Sequence, residues 1–403
     1  MDHRRRQILR SAVATGIACS GGMFASRVSF AGSDAGQRRF VFVLLRGALD
    51  GLAAVPPVGD PQYAKLRGEL ALSGAAGLHR LDDLFALHPA LSFMAELWQQ
   101  RQLTVVHAVA TPYRERSHFD AQDVLESGAL RPHDSLSGWL NRALAAMPRK
   151  NAGGNAGIAL GANVPLAMRG PVEVASWSPG NLPDMDGDTL QRIARMYAAD
   201  PLLAQRLEEA LGADAVAGMD GMNGGAGRGG GIAQVQQVAR AAANFLAQPD
   251  GPGVAMFDTT GWDTHANQGV EQGALSLRLG ALDGGLRALR EGVGAAWDNT
   301  VALIATEFGR TVQVNGTRGT DHGTGTVAFL LGGAVHGGRV VGQWPGLKSA
   351  ELYQGRDLMP TVDLRSVAKS VLRDHLAVPP RRLDAEVFPD SGAVPYLKDL
   401  VRG

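Results

Sequence analysis

Cysteine is almost missing from this chain: its 403 residues contain one, Cys19. Beyond that position there is no thiolate to act as nucleophile or metal ligand, and no disulfide can form within the chain. Charge of one sign is also missing, because 39 Lys and Arg balance 39 Asp and Glu. Without a basic surplus the chain is a poor nucleic-acid binder. No apolar run reaches the roughly 20 residues that a membrane-spanning helix needs. There is no Gly-x-Ser-x-Gly elbow and no Gly-x-x-x-x-Gly-Lys loop, which removes ordinary serine esterases and nucleotide triphosphatases. Gly225 to Gly230 spells a dinucleotide fingerprint, but no strand precedes it, so the match is accidental.

What is present begins with an export-like leader. Arg4-Arg5-Arg6 opens a basic segment, Ser11 to Ala25 is modestly apolar, and Ser29-Phe30-Ala31 offers small residues to a peptidase. Residues 1–31 are thus expected to be a twin-arginine signal peptide, engaging the twin-arginine translocase and delivering the protein to the periplasm or the exterior. This segment holds five Arg and one Asp, so its removal leaves a formal charge of about −4.

Residues 32–403 are expected to form a single α/β domain with a mainly parallel central sheet sandwiched by helices. The composition, 45% apolar and 19% charged, supplies a sizeable core. Continuous apolar runs at Arg39–Leu45, Leu103–Val109, Val254–Phe257, Val301–Thr306 and Thr326–Leu331 predict strands covered on both faces. Helical patterns fall at 90–100, 118–127, 189–199, 201–211, 232–247, 268–291 and 362–376. The glycine-rich stretch 212–231 has few large apolar groups and reads as a flexible surface loop.

Carboxylates and imidazoles cluster at strand ends, where ligands bind in open α/β sheets. Asp50 follows the first strand. Asp263 and His265 are two apart in a loop, so an extended backbone directs both side chains to one side. Asp321 and His322 are adjacent in a bend rich in glycine. These five residue positions offer the donors that divalent ions such as zinc, magnesium or manganese accept. Ser117 precedes a predicted helix, where it either caps the helix or serves as a nucleophile favoured by the dipole. His118 beside it either ligates or packs. Arg310 can grip a tetrahedral oxyanion, and Glu307 can serve a metal or orient a ligating histidine. His107 lies inside an apolar strand as a core residue.

The segments Leu45–Leu52, Leu87–Leu91, Ser117–Phe119, Ser137–Leu140, Asp263–His265, Glu307–Thr311 with Gly319–Gly323, and Gly332–Val335 together resemble the domain of unknown function 1501 family. That family is typically exported by the twin-arginine route and is distantly similar to the alkaline phosphatase and sulfatase superfamily. The resemblance implies an alkaline-phosphatase-like fold and a centre of two divalent metal ions. The superfamily order of site residues is matched by Asp50, Ser117, Asp263 with His265, Asp321 with His322, and His336, and the family motif also includes His88. Ala110 stands where a sulfatase carries its oxidisable residue, which excludes a formylglycine enzyme.

The expected function is an exported, metal-dependent hydrolase of a small anionic phosphate or sulfate ester, with Ser117 or a metal-activated water attacking and Arg310 steadying the charge. The alternative is a catalytically silent secreted scaffold of the same fold that binds another envelope protein.

Overall fold

The computed structural model describes residues 38–72, 77–148, 156–179, 187–198, 200–217 and 232–402. The expected signal peptide lies outside these residues, as does most of the glycine-rich stretch. Residues 212–216 are instead the last turn of a helix, Pro201–Val216, that runs past the predicted end at Leu211.

Eleven strands are described: β1 Arg39–Arg46, β2 His79–Arg80, β3 Ala86–Leu87, β4 Leu103–Ala110, β5 Gly157–Leu160, β6 Ala175–Trp177, β7 Val254–Thr260, β8 Thr300–Thr306, β9 Thr326–Leu331, β10 Arg339–Val341 and β11 Val362–Asp363. Nine of them form one sheet in the order β10-β4-β9-β8-β1-β7-β5-β6, with β11 also on β4, while β2 and β3 pair separately. β1 lies near the middle, parallel to β7 on one side and β8 on the other. Only β9 runs against its neighbours β8 and β4. No helix lies between Thr306 and Thr326 to carry a crossover, so the chain returns antiparallel.

The alternation within β1 shows why an unbroken apolar run suits this position. Val41, Val43 and Leu45 join the core on one face, against helices Ser92–Gln99, Ile232–Ala247 and Ala274–Val293. Phe40, Phe42 and Leu44 face the opposite core, against Trp139–Ala146 and Leu364–Asp374. The result is a mostly parallel sheet between helical layers, as the sequence implies. Two of the three helices on the first face, Ser92–Gln99 and Ala274–Val293, are also joined by a borrowed cap. Leu91 cannot cap Ser92–Gln99, and the buried Asp283 carboxylate instead accepts from Phe93 N and Met94 N, both at 2.9 Å.

One consequence of the reversed strand positions everything that follows. The carboxyl ends of β1, β4, β7 and β8 share a rim with the amino end of β9, so the segment before Thr326 reaches the same crevice as the loops after the other four strands.

Two histidines are locked in the core in their neutral form. His107 stacks on Phe85 at 4.7 Å and bonds Val55 O, and His375 bonds Arg39 O at 2.9 Å. Burial pushes both down from 6.5 to about 4. Between those values the unfolded chain binds protons that the folded chain refuses. Stability is therefore expected to be full above pH 6.5 and to fall towards pH 4, by up to about 1.4 kcal/mol per pH unit for each histidine. Denaturant midpoints across that range check this, and His375→Gln should flatten the slope.

Candidate metal centre

The loop after β7 carries Asp263 and His265, the bend before β9 carries His322, and the first helical residue after the β4 loop is His118. One donor atom from each of His118, Asp263 and His322 lies within 4.8 Å of the others, the one such group of ligand-type residues among the described residues. His265 lies beside this group: its Nε2 is 2.9 Å from His322 Nε2 and 3.1 Å from Asp263 Oδ1. His322 Nε2 is 3.3 Å from the same oxygen, and His118 Nε2 is 3.5 Å from Asp263 Oδ2.

The far side of each ring fixes its tautomer. His118 Nδ1 lies 2.8 Å from Glu307 Oε1, His265 Nδ1 lies 3.1 Å from Asp321 Oδ1, and His322 Nδ1 lies 2.9 Å from Arg116 O. Carboxylate and carbonyl oxygens only accept, so each Nδ1 carries the hydrogen. In a neutral ring the Nε2 is then a bare lone pair. Three lone pairs thus turn towards one carboxylate, and His118 Nε2 is buried with no hydrogen-bond partner. Lone pairs 2.9 Å apart repel unless a cation or proton stands between them. Imidazoles anchored through Nδ1 to carboxylates or carbonyls are the usual surroundings of a bound divalent ion, and this donor set could hold one.

Electrostatics keep the carboxylates around the cluster ionised. Burial pushes the Asp263 carboxyl up, but Arg310, His265 and His118 outweigh it and hold the group below the usual carboxylate range. Asn315 and His265 hold Asp321 low. Burial keeps His322 below its ordinary value, whereas the bond to Glu307 raises His118. Glu307 itself is fully buried, yet bonds from His118, Gln122 and Gly47 keep it ionised.

Close backbone approach brings these loops together. A Cβ on Gly47, whose φ is +120°, would sit 2.7 Å from Asp263 N, and one on Gly323 would sit 2.5 Å from Arg310 C and O. Only glycine fits either place.

The other expected residues fall around or away from this cluster. Asp321 contacts His265 through the nitrogen remote from the other histidines, and Glu307 does the same for His118. Arg310 is buried, donates to Asp263 Oδ1 at 2.8 Å, and leaves Nε and Nη2 without partners. Ser117 is the residue before helix His118–Ser127, but its hydroxyl makes no cap bond and instead interacts with the Tyr113 phenol. Asp50 is buried outside the His118–Asp263–His322 group, though near enough to act electrostatically on Arg310: it ion-pairs with buried Arg67, accepts from Gln268 Nε2 at 2.7 Å and caps the short helix Gly51–Ala54. Its oxygens are engaged, so the structure does not bring it into the cluster. His88 is buried with Nε2 2.8 Å from Val270 O and Nδ1 accepting from Ala90 N, which uses both nitrogens locally. His336 follows β9 and lies at the opposite rim, its carbonyl accepting from Thr104 near the start of β4. The reversal of β9 puts it there. Sequence reasoning missed Arg67, Gln268, Asn315 and the Arg116 carbonyl; the first is a distant cation and the last a backbone atom, and neither leaves a motif.

Residues 37–378 match the family described as "Protein of unknown function (DUF1501)". No curated protein matches the sequence. Among solved structures, the chain is similar to the C-terminal periplasmic domain of EcEptC from Escherichia coli in complex with Zn, at 12% identity and a TM-score of 0.40, over 93% of this chain and 95% of that one. It is also similar to Ps i-CgsB in complex with k-i-k-neocarrahexaose, at 9% identity and a TM-score of 0.39, over 86% and 74% of the two chains.

If Glu307 raises His118 as the geometry requires, Glu307→Gln should lower the His118 pKa in the metal-free protein. Imidazole proton shifts followed against pH read this directly; an unchanged titration contradicts the assignment of the Nδ1 hydrogen.

Proposed function

The chain belongs to the family described as "Protein of unknown function (DUF1501)", and from its histidine cluster we propose that it is an exported, metal-dependent hydrolase of a phosphate or sulfate ester. One observation carries this reading: three imidazoles, each with Nδ1 anchored, aim Nε2 at a single ionised carboxylate. Three nitrogens and one oxygen suit zinc better than magnesium, which prefers an all-oxygen shell. We read the site as holding one ion, because Asp50, which a second ion would need, is already occupied by Arg67. His118, Asp263 and His322 would hold the ion, with His265 beside them, and Glu307 and Asp321 orient His118 and His265.

When bound, a divalent ion here would polarise an ester oxygen as a Lewis acid. The chain's own groups do the rest. Arg310 Nε and Nη2, buried and unpartnered, donate to the anionic oxygens of the substrate. Ser117 Oγ, free of capping duty and next to the first turn of a helix, attacks the phosphorus or sulfur while the ester oxygen leaves, and water then cleaves the seryl ester to release the inorganic anion and restore the serine. Its proton has a route through the Tyr113 hydroxyl, which donates to Asp120 Oδ2 at 3.1 Å. Export by the twin-arginine route is supported by Arg4-Arg5-Arg6 and the apolar stretch after them. No helix among the described residues is long and apolar enough to cross a membrane.

Metal analysis of the purified protein, followed by assays on aryl phosphate and aryl sulfate, tests the proposal. We expect about one zinc per chain, lost in Asp263→Ala and His265→Ala. Arg310→Met should retain the ion and lose about 100-fold in kcat, the scale of one oxyanion donor. Ser117→Ala should abolish turnover with the metal and fold retained. Metal without turnover would favour the silent scaffold, and neither metal nor turnover would end the enzyme reading.

A further inference from the structure

The geometry points to Asp357 and the side chain of Arg116 as a clamp that sets metal affinity, acting through a backbone carbonyl. This inference rests on the histidine cluster being a metal site.

Arg116 has φ +61°, the left-handed region that non-glycine residues rarely occupy. In that conformation its carbonyl accepts from His322 Nδ1 at 2.9 Å. Without this acceptor His322 is free to turn or to move its hydrogen to Nε2, where it would block ligation. Something must therefore hold a strained backbone in place. The side chain of the same residue does so: Arg116 Nε donates to Asp357 Oδ2 at 2.9 Å, Nη2 lies 2.7 Å from the same oxygen, and Nη2 donates to Gln354 Oε1 at 2.6 Å.

Asp357 is a rigid anchor. It is fully buried, pairs with Thr311 and Tyr353 through the backbone, and also bonds Arg356. Thr311 follows Arg310, and its hydroxyl accepts from Asp321 N at 3.0 Å. The clamp thus fastens the loop after β4 to the strand-like segment beside Asp321 and His322. Asp357 and the Arg116 guanidinium are positioning groups; neither needs to touch substrate or metal.

A pair of substitutions separates conformational from chemical effects. Arg116→Ala removes the clamp and leaves the left-handed penalty, whereas Arg116→Gly removes the clamp and the penalty together. Zinc affinity of the full chain is measured by competition with a chelating dye. Arg116→Ala and Asp357→Asn are expected to weaken zinc binding by about 10- to 100-fold, as for other groups that orient ligating histidines, and Arg116→Gly is expected to stay close to wild type. Equal losses in Ala and Gly, or no loss in either, overturn the clamp. Absence of zinc binding by the unmodified protein would instead overturn the metal reading itself, so the two failures are distinguishable. Should Asp357→Asn fail to fold, the Ala and Gly pair decides alone.

Discussion

Repulsion between unprotonated imidazole nitrogens is the constraint on which this site depends. His265 and His322 present Nε2 atoms to each other at 2.9 Å, with His118 Nε2 on the other side of the same carboxylate. Water-exposed rings would rotate apart. Here His118 and His322 are held by acceptors they cannot leave cheaply, Glu307 being wholly buried among His118, Gln122 and Gly47, whereas His265 is half-exposed and rests on the half-exposed Asp321. The fold therefore maintains an arrangement that is favourable only with positive charge at its centre. The raised His118 lets a proton supply part of that charge; a divalent ion, if bound, would supply more and displace the proton.

The sheet supplies the force that maintains this arrangement. Its two apolar faces bury the strands so completely that the loops at one rim start from fixed positions, and glycines let those loops touch backbone to backbone. Gly47 against Asp263 and Gly323 against Arg310 are contacts of this kind. Parallel topology alone would bring only loops that follow strands to this rim. The reversed β9 adds one that precedes a strand, and it is this segment that carries Asp321 and His322.

Much of this was legible from residues alone, for reasons that also explain the rest. The five long strands are continuous apolar runs, and helices such as His118–Ser127 and Ile232–Ala247 show their period and their ends. Asp263 with His265 and Asp321 with His322 stood out because two potential ligands in one bend are uncommon. Short strands such as Gly157–Leu160 and Val362–Asp363 carry too few residues to show a pattern. Direction along the sheet was hidden as well, and with it the fate of His336: the residues are the same whether β9 runs up or down, but the rim they reach is not. Asp50 illustrates a third limit. Its place after the first strand suits a ligand, yet what it binds depends on where Arg67 folds, and no local pattern reports that.

Arg67 changes what chemistry the site can perform. A guanidinium tied to the backbone carbonyls of Thr311 and Val312, as well as to Asp50, is a cation that cannot exchange with solvent. It neutralises the buried carboxylate permanently. Removing one partner of such a pair typically costs about 3–5 kcal/mol, because the other charge is left stranded in the interior. Arg310 supplies a second fixed guanidinium, bonded to Asp263, whose Nε and Nη2 have no partner within the protein. Since those donors are already oriented by the bond to Asp263, they would need little reorganisation to meet an anion, which is the condition under which electrostatic stabilisation is most effective.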